Sequence, residues 1–419
     1  MEKVPEKCHK VDCIQSGSLT VKVFRSLKGE FMGILFNTVS ICQFRVVGDQ
    51  PKKDLYEWVS DRLAKNGFRP IDETTDEASS GWVHLDDVSG NSFAYPRAFW
   101  RDHYFAFTLR RDVRRVPSVI FKTHMKKAEA KFLAAHPGLR RVPKQDREEL
   151  KEAVLAALFA KTLPLPSTYD AVWDTRSGLV TFTSLSPRAV DLFENHFKNT
   201  FEGLRLLMLH PFSRAERVLK DGLKAGLLKA NRAKTGDVLD LIHDNQWLGS
   251  DFLLWLTYRT MSQTPEYGVN QPGPAQEGEI FVAYLNDRLV LLGGEEGSVQ
   301  KVSVIGSQDK FSEVRAALKN GKQITEATLY FEKEENQWKM TLKSMMFHFA
   351  SFKSPSVKVE KDDMANQDDE REAVFYERMY VLEQGLQLFD SLYTSFLELR
   401  LDKKWANEEK RIRQWLASD

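Results

Sequence analysis

From Arg97 to Arg147 the chain carries 14 lysines and arginines against 4 acids, while the other residues hold 46 bases against 55 acids. The overall net charge of +1 hides this asymmetry. Crowded cations repel one another, so such a patch persists where a polyanion occupies it, and nucleic acid is the commonest polyanion in a cell. The chemistry on offer is therefore capture of phosphate by charge. Lys122, Lys126, Lys127 and Lys131 lie opposite an apolar stripe of Phe121, Met125, Ala128, Phe132 and Ala135, spaced i, i+4, i+7, i+11 and i+14 as on one helix face. A lysine-rich helix face is ordinarily only solvated. What favours nucleic-acid contact here is the flanking charge, Arg110, Arg111, Arg114 and Arg115 before the helix and Arg140, Arg141 and Lys144 after it. Phe99-Trp100-Arg101 has the residue types for stacking a base beside a cation, but no alternating exposed aromatics accompany it. A buried aromatic is the favoured reading there, and the expectation is contact with the phosphate backbone and little sequence specificity.

Residues for bond making are sparse. Gly321-Lys322 is followed by Gln323 and preceded by Ala316 where a phosphate-cradling loop needs its first glycine. There is no His-Glu-x-x-His and no Gly-x-Ser-x-Gly. Asp86-Asp87 and Glu295-Glu296 have the chemistry to hold Mg²⁺ for phosphodiester cleavage, although carboxylate pairs in turns are ordinarily solvated charge. Cys8, His9 and Cys13 lack the second ligand pair of a zinc site, and with Cys42 they read as free thiols of a reducing compartment. The expectation is a protein without catalytic residues, metal or cofactor. The first ten residues do not form a secretory signal and runs such as 252–256 are too short to span a bilayer, so a cytoplasmic location is expected.

The elements that must hold the basic residues follow from pattern. With 419 residues, 42% hydrophobic and 28% charged, the chain can bury two or three packed units. Alternation predicts strands at 18–24, 81–85 and 103–109, and a helix over 51–66 with Leu55, Trp58, Val59 and Leu63 inward, stopped by Gly67. Asp146 and Glu149 resemble a capping box opening a second helix after the basic one. A hairpin follows from 171–173 and 179–183, and Ser186-Pro187 starts a helix carrying Val190, Phe193 and Phe197. Residues 233–278 read as an insertion, an apolar stretch at 247–261 and then a Pro/Gly-rich loop at 262–278. Beyond it, strands at 280–285 and 289–292 are expected to form a hairpin through Asn286-Asp287; a helix at 310–319 precedes Asn320-Gly321, and 324–331 pairs with 338–343. After an acidic linker, a helix at 371–400 places Phe375, Met379, Leu382, Leu386, Phe389, Tyr393 and Phe396 on a heptad seam, read as lying against the chain's own core, with a subunit contact as the alternative. The resulting organisation is an N-terminal α+β part (15–116), the basic helix to the following helix (117–232), the insertion (233–278), a β-rich part (279–353), the linker (354–370) and the final helix and tail (371–419).

On these residues the chain resembles the RdgC family of recombination-associated DNA-binding proteins. The resemblance rests on Gly81-Trp82-Val83, the strand 103–109 running into Arg110-Arg111, Val116-Pro117-Ser118-Val119-Ile120, the lysine-rich helix, the run 144–158, Val172-Trp173-Asp174-Thr175 and Ser177-Gly178-Leu179-Val180. Gly321-Lys322, the strand 325–331 and the terminal helix ending near Leu399 fall in the family's order. It implies an α+β subunit, elongated, with antiparallel sheets and helices, that pairs with its twin into a ring-shaped homodimer threaded by double-stranded DNA. It also implies a nucleoid-associated protein that restrains a RecA-type recombinase by occupying the same DNA, without catalysis. Carried onto this sequence, the phosphate contacts are Arg110, Arg111, Arg114, Arg115, Lys122, Lys126, Lys127, Arg140 and Arg141. The chain departs from compact members in its 233–278 segment and in reading Leu163-Pro164-Leu165-Pro166 where they place an aromatic at a subunit contact. Two other readings stay open, a metal-dependent nuclease and a protein-interaction scaffold built on the heptad seam and the 262–278 loop.

Overall fold

In the computed structural model, residues 33–51, 53–261, 265–294, 298–306, 311–357 and 367–418 are described. The expected strand at 18–24, Cys8, His9, Cys13, Glu295-Glu296 and the middle of the acidic linker lie outside them.

The first half runs β1 (Thr38–Gly48), α1 (Leu55–Lys65), β2 (Ala78–Val83), β3 (Trp100–Arg101), β4 (Tyr104–Val113), α2 (Ser118–Ala135), α3 (Lys144–Phe159), β5 (Leu165–Asp174), β6 (Leu179–Phe182), α4 (Pro187–Thr200) and β7 (Leu204–Met208). Its strands pair antiparallel in the order β2-β4-β5-β6-β1, with β3 on β4 and β7 on the far edge of β1. Val59 and Leu63 of α1 and Val190, Phe193 and Phe197 of α4 cover one face, burying Phe105, Phe107 and Leu109 of β4. Aromatic rings fill this core; Trp82 meets Phe107 edge-on at 4.8 Å and Phe182 stacks on Phe193 at 4.1 Å. Such pairs contribute about 0.5–1.5 kcal/mol each beyond the area they bury.

The second half adds α5 (Pro211–Val218), α6 (Asp221–Ala230), α7 (Val238–Asp244), α8 (Trp247–Met261), β8 (Glu266–Gly268), β9 (Ile280–Gly293), β10 (Gln300–Val304), α9 (Ser312–Lys319), β11 (Gln323–Lys333), β12 (Asn336–Lys343), β13 (His348–Lys353), α10 (Gln367–Arg400) and α11 (Trp405–Ala417). Here the strand order is β10-β9-β11-β12-β13-β1. β1 therefore belongs to both halves: Thr38 faces Lys353 of β13, while Cys42 faces Phe182 of β6. Residues 33–419 form one compact unit of α+β class.

The heptad seam of α10 is buried in this unit. Phe375, Met379, Leu382, Leu386, Phe389, Tyr393 and Phe396 all lie in the larger core, where Phe252 of α8 meets Phe389, Tyr393 and Phe396. This agrees with the seam lying against the chain's own core.

Residues 233–278, read as an insertion with an apolar stretch and a loop, are part of the core: α8 buries Trp247, Leu248, Phe252, Leu253, Trp255 and Leu256, and Val269 and Ala275 of the following loop are buried too. That loop is fastened to α10, where the Gln387 side chain accepts from the Ala275 amide at 2.8 Å and donates to the Gln271 carbonyl at 2.7 Å. Residues 280–293 are one strand rather than a hairpin; Asp287, at φ 65°, absorbs a bulge while β9 keeps pairing with β11 on both sides of it. α3 starts at Lys144 after Pro143, so Asp146 sits inside the first turn and caps nothing. In Phe99-Trp100-Arg101 only the outer two residues are buried; Trp100 is 42% exposed and rests on Tyr56 at 5.0 Å.

Candidate nucleic-acid interface

β4 continues past Leu109 to Val113, so Arg110 and Arg111 belong to the strand, and alternation sends neighbours to opposite faces. Arg110 shares its face with Asp112. Its guanidinium donates twice to that carboxylate, at 2.8 and 2.7 Å, and once to the Val88 carbonyl at 2.9 Å, above the Phe68 ring. This fork holds the guanidinium even more firmly protonated. Arg114, on the same face, is 3% exposed and donates to the backbone carbonyls of Ile71, Asp72, Thr74, Asp76 and Thr162. All of its donors point inward. Arg114 is corrected from a phosphate contact to a staple joining the loop after α1 to the end of α3, and Arg110 is spoken for by Asp112. Both placements have one cause, the even-numbered face of β4 being covered by the 68–76 and 88 segments.

Arg111 and Arg115 take the other face, half-buried and exposed respectively, and lead through Val116-Pro117 into α2. Pro117, extended at φ −57° and ψ 135°, ends the strand and sets the helix start. α2 and α3 pack as an antiparallel hairpin that rests chiefly on itself; Met125 of α2 and Leu158 and Phe159 of α3 are its buried residues. Glu129 and Arg147 close an ion pair across it at 2.9 Å. The predicted stripe is the contact side, with Phe121, Ala128 and Phe132 partly covered, although Ala135 is exposed. Lys122, Lys126, Lys127 and Lys131 face solvent, and Arg140 and Arg141 are exposed in the connection at the hairpin's tip.

Charge is unevenly shared between the two helices. α2 has four lysines and one acid, Glu129, already tied to Arg147, whereas α3 mixes Asp146, Glu148, Glu149 and Glu152 with Lys144, Arg147 and Lys151. Among the described residues Arg111, Arg115, Lys122, Lys126, Lys127, Lys131, Arg140 and Arg141 make no ion pair. At 1.5 Å per residue, the 18-residue α2 lays this track over about 27 Å, the length of roughly eight base pairs. Lys131 belongs to the track although the resemblance did not carry it over; its place on the lysine side of the wheel was already visible in the spacing. No histidine, cysteine or carboxylate groups among the described residues come together in threes to hold a metal ion, and Asp86 is engaged by Arg101.

Residues 43–233 match the model of a family described as "Putative exonuclease, RdgC". Over this stretch, which is less than half of its length, the chain is similar to the RdgC family. The RdgC segment opens inside β1, contains β2 to β7 and the whole basic hairpin, and closes just after α6. No curated protein matches the chain. The later elements that complete the core, α8, β9 to β13 and α10, lie beyond the RdgC match.

Proposed function

We propose that the chain binds double-stranded DNA without sequence specificity, through the lysine face of α2, the tip at Arg140 and Arg141, and Arg111 and Arg115 at the hairpin's base. The observation that carries this reading is the gathering of unpaired cations on one self-contained helical hairpin, with α3 kept mixed in charge. The aromatic residues of α2, Phe121 and Phe132, are partly covered and lie on the stripe opposite the lysines, which leaves the lysine face suited to phosphate rather than to stacked bases. The similarity of residues 43–233 to the RdgC family supports a homodimer that encircles duplex DNA and restrains a RecA-type recombinase from it. Two copies would double the basic track around one axis.

The test is a titration of labelled 30-base-pair duplexes of unrelated sequence at several salt concentrations, with the oligomer's mass measured by light scattering. With six to eight phosphates neutralised, log affinity should fall against log salt with a slope of about −6. A flat salt dependence, or strong preference for one sequence, overturns the reading. The family's description favours a second one, an exonuclease. Linear duplex incubated with Mg²⁺ or Mn²⁺ would be shortened by an exonuclease and left intact by a pure binder. The scaffold reading has lost one of its supports, since the heptad seam is buried in the chain's own core.

A further inference from the structure

A cleft of about 500 Å³ opens between the ends of β4, β5 and β6 and the middle of α10, bordered by the Pro272-Gly273-Pro274 turn. One wall is aliphatic, formed by Val172, Leu179, Met379, Leu382 and Leu386. The polar lining is unevenly paired. Its arginines already have carboxylates: Arg217 donates to Asp390 at 3.0 Å, and Arg176 reaches Asp102 at 3.1 Å. Asp390 is held by a second arginine as well, Arg214 at 2.6 Å. His103 turns its Nδ1 to Asp102.

Two carboxylates are left over. Glu383 accepts a single hydrogen bond, from the Tyr104 hydroxyl at 2.7 Å, and Asp174 accepts one from the Arg176 backbone amide at 2.8 Å. Neither has a cation within ion-pair distance among the described residues. Burial first, and the charge of Asp174 with it, push the Glu383 carboxyl up, against the Tyr104 hydrogen bond and the more distant His103 and Arg176, which pull it down. An aliphatic wall beside unpaired carboxylates matches one kind of ligand, a charged head on a methylene stem that can bury the stem while the head pairs. A hydrated divalent ion would leave that wall unused, since it seeks oxygen ligands all round.

We propose that this cleft binds a linear aliphatic cation, its ammonium or guanidinium head against Glu383 and Asp174 and its stem along Leu382 and Leu386. The chemistry is shared by free alkyl amines or guanidines and by a lysine or arginine side chain presented on a peptide. Calorimetric titration of the full chain with agmatine, cadaverine, a blocked arginine tripeptide and uncharged pentanol tests it. Saturable binding of at least one cation is expected, with none of pentanol. A free-ligand site takes agmatine or cadaverine; a peptide-binding site takes only the tripeptide. Glu383→Gln should weaken that binding about tenfold, the scale of one charge-assisted contact, and so should Asp174→Asn. Paired Lys126→Glu and Lys127→Glu substitutions should leave it unchanged while lowering duplex affinity, which separates this site from the DNA reading. No saturable binding of any cation, or full affinity retained in both carboxylate variants, overturns the proposal.

Discussion

Arg111, in β4, and Arg114, just past its end, stand three positions apart and should respond oppositely to substitution. Arg114→Met strips five backbone carbonyls of their donor in a buried place, and a denaturant titration should show a loss of about 3 kcal/mol or more. Arg111→Gln removes a side chain without an ion pair, so stability should barely change while duplex affinity drops. On α2, Lys126→Gln with Lys127→Gln should reduce the salt slope of duplex binding by about 2 and weaken all sequences alike, with an unaltered melting temperature. The charge excess and the lysine face were legible in residue types and spacing. The division of the arginines was not, because it depends on β4 running on to Val113 and on carbonyls from 71–76 and 162 arriving from elsewhere in the chain. Asp112, two residues after Arg110, was the one local hint.

α10 shows what an apolar period can and cannot say about an element. The seam from Phe375 to Phe396 announced a helix with one greasy side, yet spacing alone does not distinguish a sister subunit from the chain's own sheet. Gly385 records how close that sheet comes: a Cβ there would meet Trp338 Cδ1 at 2.6 Å and Phe352 Cζ at 2.7 Å. Gly385→Ala should therefore destabilise by about 1–3 kcal/mol in urea unfolding, against the small gain usual for this change in an open helix. The prolines and glycines of 262–278 read as a loop, and how such a loop can be buried is not written in them: Gln387 of α10 satisfies its backbone, while Gln271 donates to Thr394 of α10 and to the Val218 carbonyl of α5. Asn286-Asp287 misled because the same residues that favour a tight turn also tolerate the left-handed backbone of a bulge.

For the molecule as a whole, acid sensitivity follows from the buried His210 and the half-buried His348. Burial, and for His348 the nearby Lys343 as well, holds His210 and His348 down at about 4. Since the unfolded chain binds these protons near pH 6.5, it takes up more of them than the folded chain between about pH 4 and 6.5, and stability from these groups falls as pH falls through that window. Buried acids such as Asp170, raised chiefly by burial, act in the opposite sense, so the informative quantity is a difference. Unfolding free energy of the wild type minus that of His348→Gln should rise from pH 4 to 7 and level off above it. The shared strand β1 carries a different consequence, for anyone wishing to excise the RdgC-matching region as a protein of its own. A piece cut at residues 43 and 233 would start partway along that strand, beyond its pairing with β13, and would leave Tyr104, Ala106 and Val172 without α8 or α10 to cover them. The limits of the family match fall inside one packed unit, and a piece parted there should show no cooperative unfolding transition in urea.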